Sequence, residues 1–193
     1  RAFEAARDRR GHVTVVHKAN VLRLTTGLFR DVCLEVAERF PDVRVDQQHV
    51  DAMAALLVRS PADFDVVVTE NLFGDILSDL AAELSGSLGL AASINCSDTR
   101  VMAQAVHGAA PDIAGRGTAD PIAMIDSVAQ ALHWHGTRHR NPSVLAAAAD
   151  MRARVAATVA AGVRTPDLGG TATTADFADH ARGVGVRSSD ESE

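Results

Sequence analysis

The chain has 193 residues, enough for one sizeable hydrophobic core or two small ones. Its 47% hydrophobic and 23% charged residues are ordinary for a globular protein. A net charge of −6 without a basic stripe argues against nucleic acid as a partner, and no apolar run approaches the roughly 20 residues of a membrane helix.

Strands and helices alternate through the first part of the chain. The run 64–69 is apolar and rich in β-branched residues, which is typical of a buried strand. Thr25 or Thr26 is placed to cap a helix whose apolar stripe ends at Phe40, before Pro41. The elements predicted here are strands at 13–16, 43–45 and 65–69, and helices at 25–40, 50–58 and 73–84.

Glycine and proline punctuate the second part of the chain. Pro121 stands where a helix can begin. The predicted order is a glycine- and serine-rich stretch at 85–97, a strand at 101–106, a long loop, helices at 121–135 and 142–161, a turn at 167–170 and a last helix that ends near 182. Residues 187–193 are expected to form a disordered tail. The alternation predicts an α/β fold.

Asp75 and Asp79 lie one helical turn apart in the segment NLFGDILSD at 71–79. Residues at i and i+4 share a helix face, so the two carboxylates repel each other unless a cation lies between them. Mg²⁺ and Mn²⁺ prefer such oxygen ligands, and the pair follows a predicted strand, where open α/β sheets place their ligands. The pattern indicates a metal site; the other interpretation is a solvated acidic face near a helix N-terminus.

The loop 107–121 (HGAAPDIAGRGTADP) is rich in small residues and leads into a helix. Small residues let the backbone approach a ligand, and free backbone N–H groups can hold phosphate. The loop lacks the G-x-G-x-x-G pattern of ordinary dinucleotide-binding folds. Composition alone supports a phosphate-binding loop and a plain surface loop equally.

The two cysteines are isolated from each other in the sequence. Cys33 falls on the apolar face of a predicted helix and Cys96 in a predicted polar loop. Two such thiols predict neither a metal site nor a disulfide framework, so a reducing, cytoplasmic setting is expected.

Five longer segments occur together in an order that points to a family. They are VHKANVL at 16–22, VDAMA at 50–54, NLFGDILSD at 71–79, VHGAAPDIAG at 106–115 and RTPDLGG at 164–170. With these motifs, nearly all of residues 1–183 resembles the C-terminal half of a β-decarboxylating dehydrogenase of the isocitrate/isopropylmalate dehydrogenase type. The resemblance implies that family's α/β fold with its N-terminal half missing.

The resemblance also implies an activity. A malate-like acid is oxidised at its 2-hydroxyl, with NAD⁺ or NADP⁺ as the hydride acceptor, and the β-carboxylate leaves as CO₂. A divalent metal, Mg²⁺ or Mn²⁺, stabilises the enolate. The implied partners are a small 2-hydroxy acid and a second copy of the subunit, in a homodimer whose subunits share their active sites.

Four residues match the family's metal and catalytic positions. Asp75 and Asp79 match metal ligands, and Asp51 matches a third ligand that the partner subunit donates. Lys18 matches a lysine that also reaches into the partner's site and assists proton transfer at the substrate hydroxyl, so Lys18 and Asp51 are the expected catalytic residues. Without the resemblance, Lys18 is an ordinary surface residue and Asp51 a possible helix cap.

The loop that begins at His107 matches the family's cofactor site. Asp112 stands where NAD-dependent members place an acid that accepts hydrogen bonds from the adenosine ribose. A carboxylate there would repel a 2′-phosphate, so NAD⁺ is expected rather than NADP⁺; otherwise Asp112 is a turn residue after a proline. The other cofactor-binding residues that the resemblance implies are His107, Gly108, Ala109, Ala110, Ile113 and Asp120.

Three positions near the expected cofactor depart from the family pattern. Gln104 stands in place of a common Glu, Ala109 in place of Ser or Thr, and Asp120 in place of an Asn that contacts the adenine. Two hydrogen-bonding groups are thus lost or altered. The alternative function is therefore a catalytically weak or regulatory subunit of a heteromeric isocitrate dehydrogenase, whereas the intact metal and lysine positions favour an active enzyme.

The family carries its substrate-binding arginines, a catalytic tyrosine and the substrate-distinguishing loop in its N-terminal half. Residues 1–10 resemble the middle of a family helix, so we expect a fragment of a longer protein that is inactive alone. We expect 1–98 to form the substrate, metal and dimer-interface part and 99–186 the C-terminal part of the cofactor-binding domain. The substrate stays open: 24–29 and 164–174 are similar to isocitrate and homoisocitrate members, and 50–54 and 69–73 to isopropylmalate members.

Overall fold

The computed structural model describes residues 1–183, which pack as two compact units divided after Leu84. In the first unit, helices and strands alternate along the chain. Its elements are α1 (Ala2–Arg7), β1 (His12–His17), α2 (Thr25–Ala37), β2 (Arg44–His49), α3 (Val50–Arg59), β3 (Val66–Val68) and α4 (Asn71–Leu84), with a 3₁₀ turn at Pro61–Asp63.

The strands of the first unit form a parallel sheet in the order β2-β1-β3. Val13 of β1 pairs with Val45 of β2 on one side and with Val66 of β3 on the other. The central strand is covered on both faces, as parallel sheets require. Val13 and Val15 pack with residues of α1 and α2, and Val16 packs with residues of α3 and α4.

The second unit holds an antiparallel hairpin and three longer helices. Its elements are β4 (Ala92–Cys96), β5 (Val101–Ala105), α5 (Ile122–Arg138), α6 (Pro142–Ala160) and α7 (Thr174–Arg182), with 3₁₀ turns at Leu88–Leu90, Pro111–Ile113 and Pro166–Leu168. The hydroxyl of Ser127 on α5 accepts a hydrogen bond from Ser93 N in β4, and it lies 2.6 Å from Ala123 O in its own helix and 3.0 Å from Gln104 O in β5. One buried hydroxyl therefore ties the hairpin to α5.

Gly136 allows α5 and α6 to approach closely. A Cβ on Gly136 would lie 2.9 Å from Cγ and Cδ2 of Leu145, a contact that real side chains do not make. α7 begins with a capping box in which Thr173 and Asp176 satisfy each other's backbone N–H groups. Phe177 of α7 is fully buried and anchors this helix.

The predicted α/β fold is confirmed, with several corrections to its elements. α2 ends at Ala37, three residues before the predicted end at Phe40, which precedes Pro41 and is disfavoured in a helix for that reason. Neither Thr25 nor Thr26 caps α2: Leu24 is the N-cap residue, and the Thr26 hydroxyl instead donates to Leu22 O. α5 runs on to Arg138, three residues beyond the predicted end.

Polar composition concealed one strand and the full length of another. β2, predicted at 43–45, extends to His49 although 46–48 are polar, because among the described residues it pairs with β1 alone, at the edge of the sheet, and leaves side chains partly exposed. β4 lies inside the stretch predicted to be an irregular glycine- and serine-rich segment. Cys96 is therefore the exposed last residue of a strand and does not lie in a loop, whereas Cys33 is buried on α2 as predicted.

The predicted division at residue 98 falls in the turn that joins β4 to β5, and the roles assigned to its two sides stay a prediction. The predicted tail at 187–193 lies outside the described residues. None of the helices within 1–183 is both long enough and apolar enough to cross a lipid bilayer.

Candidate active site and cofactor pocket

The carboxyl ends of the three parallel strands meet at one edge of the sheet in the first unit. Lys18 directly follows β1, Asp51 is the second residue of α3 directly after β2, and α4 begins three residues after β3. This is the edge at which parallel sheets bind their ligands. The fold therefore brings three of the predicted site segments, those that follow β1, β2 and β3, to the same edge of the sheet.

Lys18 and Asp51 form an ion pair between Nζ and Oδ1. The Lys18 side chain is 23% exposed and that of Asp51 is 68% exposed, so the lysine is partly buried and the carboxylate faces solvent. The hydrogen bond from Lys18, followed by a backbone hydrogen bond, holds the pKa of Asp51 below its ordinary value. Asp51 is thus kept ionised, as a metal ligand must be.

Asp75 and Asp79 lie on α4 with exposed side chains. Within residues 1–183, neither carboxylate has an ion-pair partner, and the backbone oxygen of Asp75 accepts a hydrogen bond from Ser78 Oγ at 3.3 Å. Two carboxylates one turn apart provide hard oxygen ligands that suit Mg²⁺ or Mn²⁺. The donor set thus fits the predicted metal, with coordination positions left for other ligands.

The structure does not assemble the whole predicted ligand set in one chain. Among the described residues, no three His, Cys, Asp or Glu side chains lie close enough together to hold a metal ion. Asp51 is therefore not gathered with Asp75 and Asp79 within the subunit. Its donation to a partner's site stays a prediction.

The predicted cofactor loop lines a pocket of about 560 Å³ in the second unit, a volume typical of small-molecule sites. The pocket is formed by the 3₁₀ turn at Leu88–Leu90, the loop from His107 to Asp120, and Asp167. Of the predicted cofactor residues, His107, Gly108, Ala109, Ala110, Ile113 and Asp120 line it. Asp112 is exposed on the same loop but is not among the lining residues.

The loop is shaped by residues with left-handed backbone conformations. Ala110 has φ +42, and Gly115 and Gly117 have φ +77 and +64. No atom lies within 4 Å of the positions where a Cβ would stand on these two glycines. The end of the loop is fixed to α7, because Thr174 N donates to Gly117 O at 2.8 Å. The backbone at these glycines is thus accessible to a ligand, and the loop is anchored by its hydrogen bond to α7.

Asp120 and Asp167 face each other at the wall of this pocket. A Cβ on Gly89 would lie 2.9 Å from both Asp120 Cβ and Asp167 Oδ2, so only glycine permits this packing. Asp167 accepts hydrogen bonds from Ser87 at 2.5 Å and Thr165 at 2.6 Å. Asp120 Oδ1 accepts from Ile122 N at 2.7 Å, whereas its buried Oδ2 has no hydrogen-bond donor.

The two carboxyls differ in their acidity. Burial, reinforced by the charge of Asp167, raises the pKa of Asp120. Burial also acts to raise the pKa of Asp167, but the hydrogen bonds from Ser87 and Thr165 outweigh it and the pKa lies below the ordinary value. Burial thus makes Asp120 the weaker acid of the two, and its Oδ2 is left without a hydrogen-bond partner.

Sequence reasoning did not find Ser87, Gly89 or Asp167 as pocket residues. Ser87 and Gly89 lay in the stretch predicted to be irregular, and Asp167 was predicted only as part of a turn. Asp167 is 47 positions from Asp120, and no periodicity links the two residues. The signal was present only in the family motif RTPDLGG, which contains Asp167.

Comparison with known proteins shows the family of this chain. The family model for isocitrate/isopropylmalate dehydrogenase matches residues 1–181. A 3-isopropylmalate dehydrogenase of Archaeoglobus fulgidus is 47% identical over 178 residues, which are 92% of this chain and 52% of that protein. An isocitrate/homoisocitrate dehydrogenase of Thermus thermophilus is 52% identical over 163 residues, 84% of this chain and 47% of that protein.

Solved structures show the same likeness. The crystal structure of isocitrate dehydrogenase from Methylococcus capsulatus superposes with a TM-score of 0.84 at 43% identity, covering 93% of this chain and 52% of that one. The chain spans about half the length of the curated relatives that it matches. It belongs to the isocitrate/isopropylmalate dehydrogenase family.

Proposed function

We propose that the full-length protein containing this chain oxidises and decarboxylates a malate-like 2-hydroxy acid with NAD⁺ and Mg²⁺ or Mn²⁺. The substrate is of the 3-isopropylmalate or the isocitrate/homoisocitrate type. The observation that carries the proposal is the Lys18–Asp51 ion pair at the sheet edge from which α4 begins, the helix that carries Asp75 and Asp79. Membership of the family supports the reaction class.

The residues of the first unit have distinct roles in this proposal. When bound, the divalent metal supplies Lewis-acid stabilisation of the developing enolate, and NAD⁺ accepts the hydride. Asp75 and Asp79 hold the metal from one subunit, and Asp51 supplies a carboxylate from the other. Lys18 moves a proton at the substrate hydroxyl oxygen, and Asp51 orients its ammonium group through the ion pair.

Exposed apolar side chains support a homodimer with shared sites. Leu72 and Ile76 of α4 are 64% and 60% exposed and flank the metal aspartates, and Val58 of α3 is 59% exposed. Exposed large apolar side chains on the helix that carries the metal aspartates support a surface that another protein covers. A second copy that covers this surface would lie next to Asp75 and Asp79, which is where the partner's Lys18 and Asp51 are needed.

The pocket in the second unit is proposed to hold the adenosine and phosphate portion of NAD⁺. Its exposed backbone and small residues suit phosphate, and Asp112 is free at its side to accept hydrogen bonds from ribose hydroxyls. Cys33 and Cys96 are both free thiols, which fits the reducing cytoplasm that we propose as the compartment.

One observation favours the second candidate function, a catalytically weak or regulatory subunit. Asp120 Oδ1 is already engaged by Ile122 N, and its buried Oδ2 points away from solvent. One carboxyl oxygen of the residue expected to contact the adenine is therefore engaged within the chain, and the other is buried. Weak cofactor binding would follow from this arrangement.

A substrate panel distinguishes the two candidates. The full-length protein is assayed by NADH absorbance with 3-isopropylmalate, isocitrate, homoisocitrate and tartrate, each with Mn²⁺ and either NAD⁺ or NADP⁺. Turnover of one acid with NAD⁺ supports the enzyme. A folded protein that binds Mn²⁺ but turns over none of them supports the regulatory subunit.

A further inference from the structure

His17 is a buried histidine directly before Lys18. His17 is only 5% exposed and is the last residue of β1. Its ring makes two hydrogen bonds: Nδ1 accepts from Ala19 N at 3.1 Å, and Nε2 lies 3.2 Å from Oε1 of Gln47 on β2. A backbone N–H can only donate, so Nδ1 carries no proton and Nε2–H donates to Gln47. The contacts therefore fix one neutral tautomer.

The backbone around Lys18 is held by further hydrogen bonds. Lys18 N donates to Thr26 Oγ1 at 3.2 Å, and Lys18 O accepts from Val21 N at 3.0 Å and Leu22 N at 2.8 Å. Thr26 is 1% exposed, and its hydroxyl donates onward to Leu22 O. The Lys18 N–H is thus bonded to a buried hydroxyl and the Lys18 carbonyl to the turn that follows it, while the His17 ring accepts from the next backbone N–H, that of Ala19.

We propose that His17 is a positioning residue for Lys18, whose neutral imidazole sets the turn that aims the Lys18 ammonium at Asp51. This inference rests on the function proposed above for Lys18. A proton on Nδ1 would place two N–H groups opposite each other at Ala19. The turn would then open and Lys18 would move away from its productive place.

The surroundings of the ring oppose that protonation. Burial lowers the pKa of His17, and the hydrogen bond to Gln47 offsets this only in part. The ring of His49 on β2 stands edge-on to the ring of His17, with the two centroids 5.3 Å apart. On α2, Arg30 acts to lower the pKa of His17 and its ion-pair partner Asp31 acts to raise it. Lys18 should therefore keep its position at neutral pH and lose it on acidification.

Two conservative variants separate this role from packing. In His17→Asn, Oδ1 stands near the place of Nδ1 and can still accept from Ala19 N. In His17→Gln, the amide reaches the place of Nε2 and leaves Ala19 N without an acceptor. We expect kcat of the full-length protein to fall roughly ten- to a hundredfold in His17→Gln and much less in His17→Asn, with similar melting temperatures. The acidic limb of the wild-type kcat profile should be absent from His17→Asn.

The outcomes separate this inference from the proposed function. Equal kcat values and equal pH profiles in the two variants, with Lys18→Met inactive, would overturn the positioning role alone. Full activity of Lys18→Met would overturn both. Nitrogen NMR of the folded wild type gives a further check that needs no variant: Nδ1 of His17 should be unprotonated at neutral pH, and a protonated Nδ1 would contradict the inference.

Discussion

Lys18 and Asp51 are 33 positions apart in sequence, yet their side chains are ion-paired at the carboxyl edge of the parallel sheet. The register of β1 with β2 places them there, because His17 pairs with His49 and each strand ends at that pair. Two residues that the family resemblance assigns to a partner's active site thus form one unit within their own subunit. They can be delivered to a second subunit together.

Asp75→Asn and Asp79→Asn are expected to weaken Mn²⁺ binding and turnover in the full-length protein. Each variant removes one charged oxygen ligand, and we expect kcat/KM at subsaturating Mn²⁺ to fall about 100-fold or more. Asp63→Asn, at an exposed aspartate of the same unit, serves as a control. Mn²⁺ titrations that are the same for all three variants would remove the metal assignment.

Asp112→Asn is expected to reduce the preference for NAD⁺ over NADP⁺. The carboxylate that accepts from the ribose and repels a 2′-phosphate becomes a neutral amide, so the ratio of the two kcat/KM values should shift about tenfold towards NADP⁺. The measurement is initial rate with each cofactor. A wild type that uses NADP⁺ as well as NAD⁺ would mean that Asp112 does not face the ribose.

Asp120 should give the protein a pH-dependent stability. The pKa of Asp120 is raised in the folded state. The contribution of Asp120 to the free energy of unfolding is therefore complete below its unfolded-state pKa and is lost as pH rises through its folded-state pKa. Asp120→Asn keeps a neutral side chain at every pH, so its free energy of unfolding should exceed that of the wild type by about 1 kcal/mol more above that pH than below it. Urea unfolding over a pH series measures this, with Asp112→Asn as the control. A constant difference at every pH would contradict the raised pKa of Asp120.

The 193-residue chain alone is expected to turn over none of the four 2-hydroxy acids. No residue here matches the family's substrate-binding arginines, and positioning contributes about 7–11 kcal/mol of barrier reduction in well-oriented reactions. The purified chain would be assayed with NAD⁺ and Mn²⁺ beside the full-length protein. Turnover by the chain itself would show that all required groups lie within it.

The sequence predicted the α/β fold because short strands alternate with amphipathic helices, and two of the three strands in the first unit are apolar. It also predicted the loop around Ala110, because a segment so rich in glycine, proline and small residues forms neither a stable helix nor a stable strand. β4 escaped prediction because alternating Ser, Ile and Asn carry little hydrophobic signal. That strand is specified by its partner β5 and by the Ser127 hydroxyl, which are tertiary contacts.

The candidate site was predictable to different extents. Spacing alone singles out Asp75 and Asp79 as candidate metal ligands without excluding a solvated acidic face, whereas Lys18, Asp51 and Asp112 needed the family motifs. The Asp120–Asp167 pair and the role of His17 depend on distances that neither spacing nor composition encodes. Both involve polar groups whose partners come from other elements, so only the folded chain shows that they are satisfied or orphaned.

The central claim is that one subunit supplies Lys18 and Asp51 to a metal site built on the partner's Asp75 and Asp79. Lys18→Met and Asp75→Asn subunits of the full-length protein, co-expressed with different tags, test it directly. Each variant alone should be inactive. Mixed dimers have one intact site, so random pairing should restore roughly a quarter of wild-type turnover for a two-fold dimer.

The matched mixture of Lys18→Met with Asp51→Asn should stay inactive, because both residues come from the same subunit. Failure of Lys18→Met and Asp75→Asn to complement each other in isolated mixed dimers would contradict the shared site.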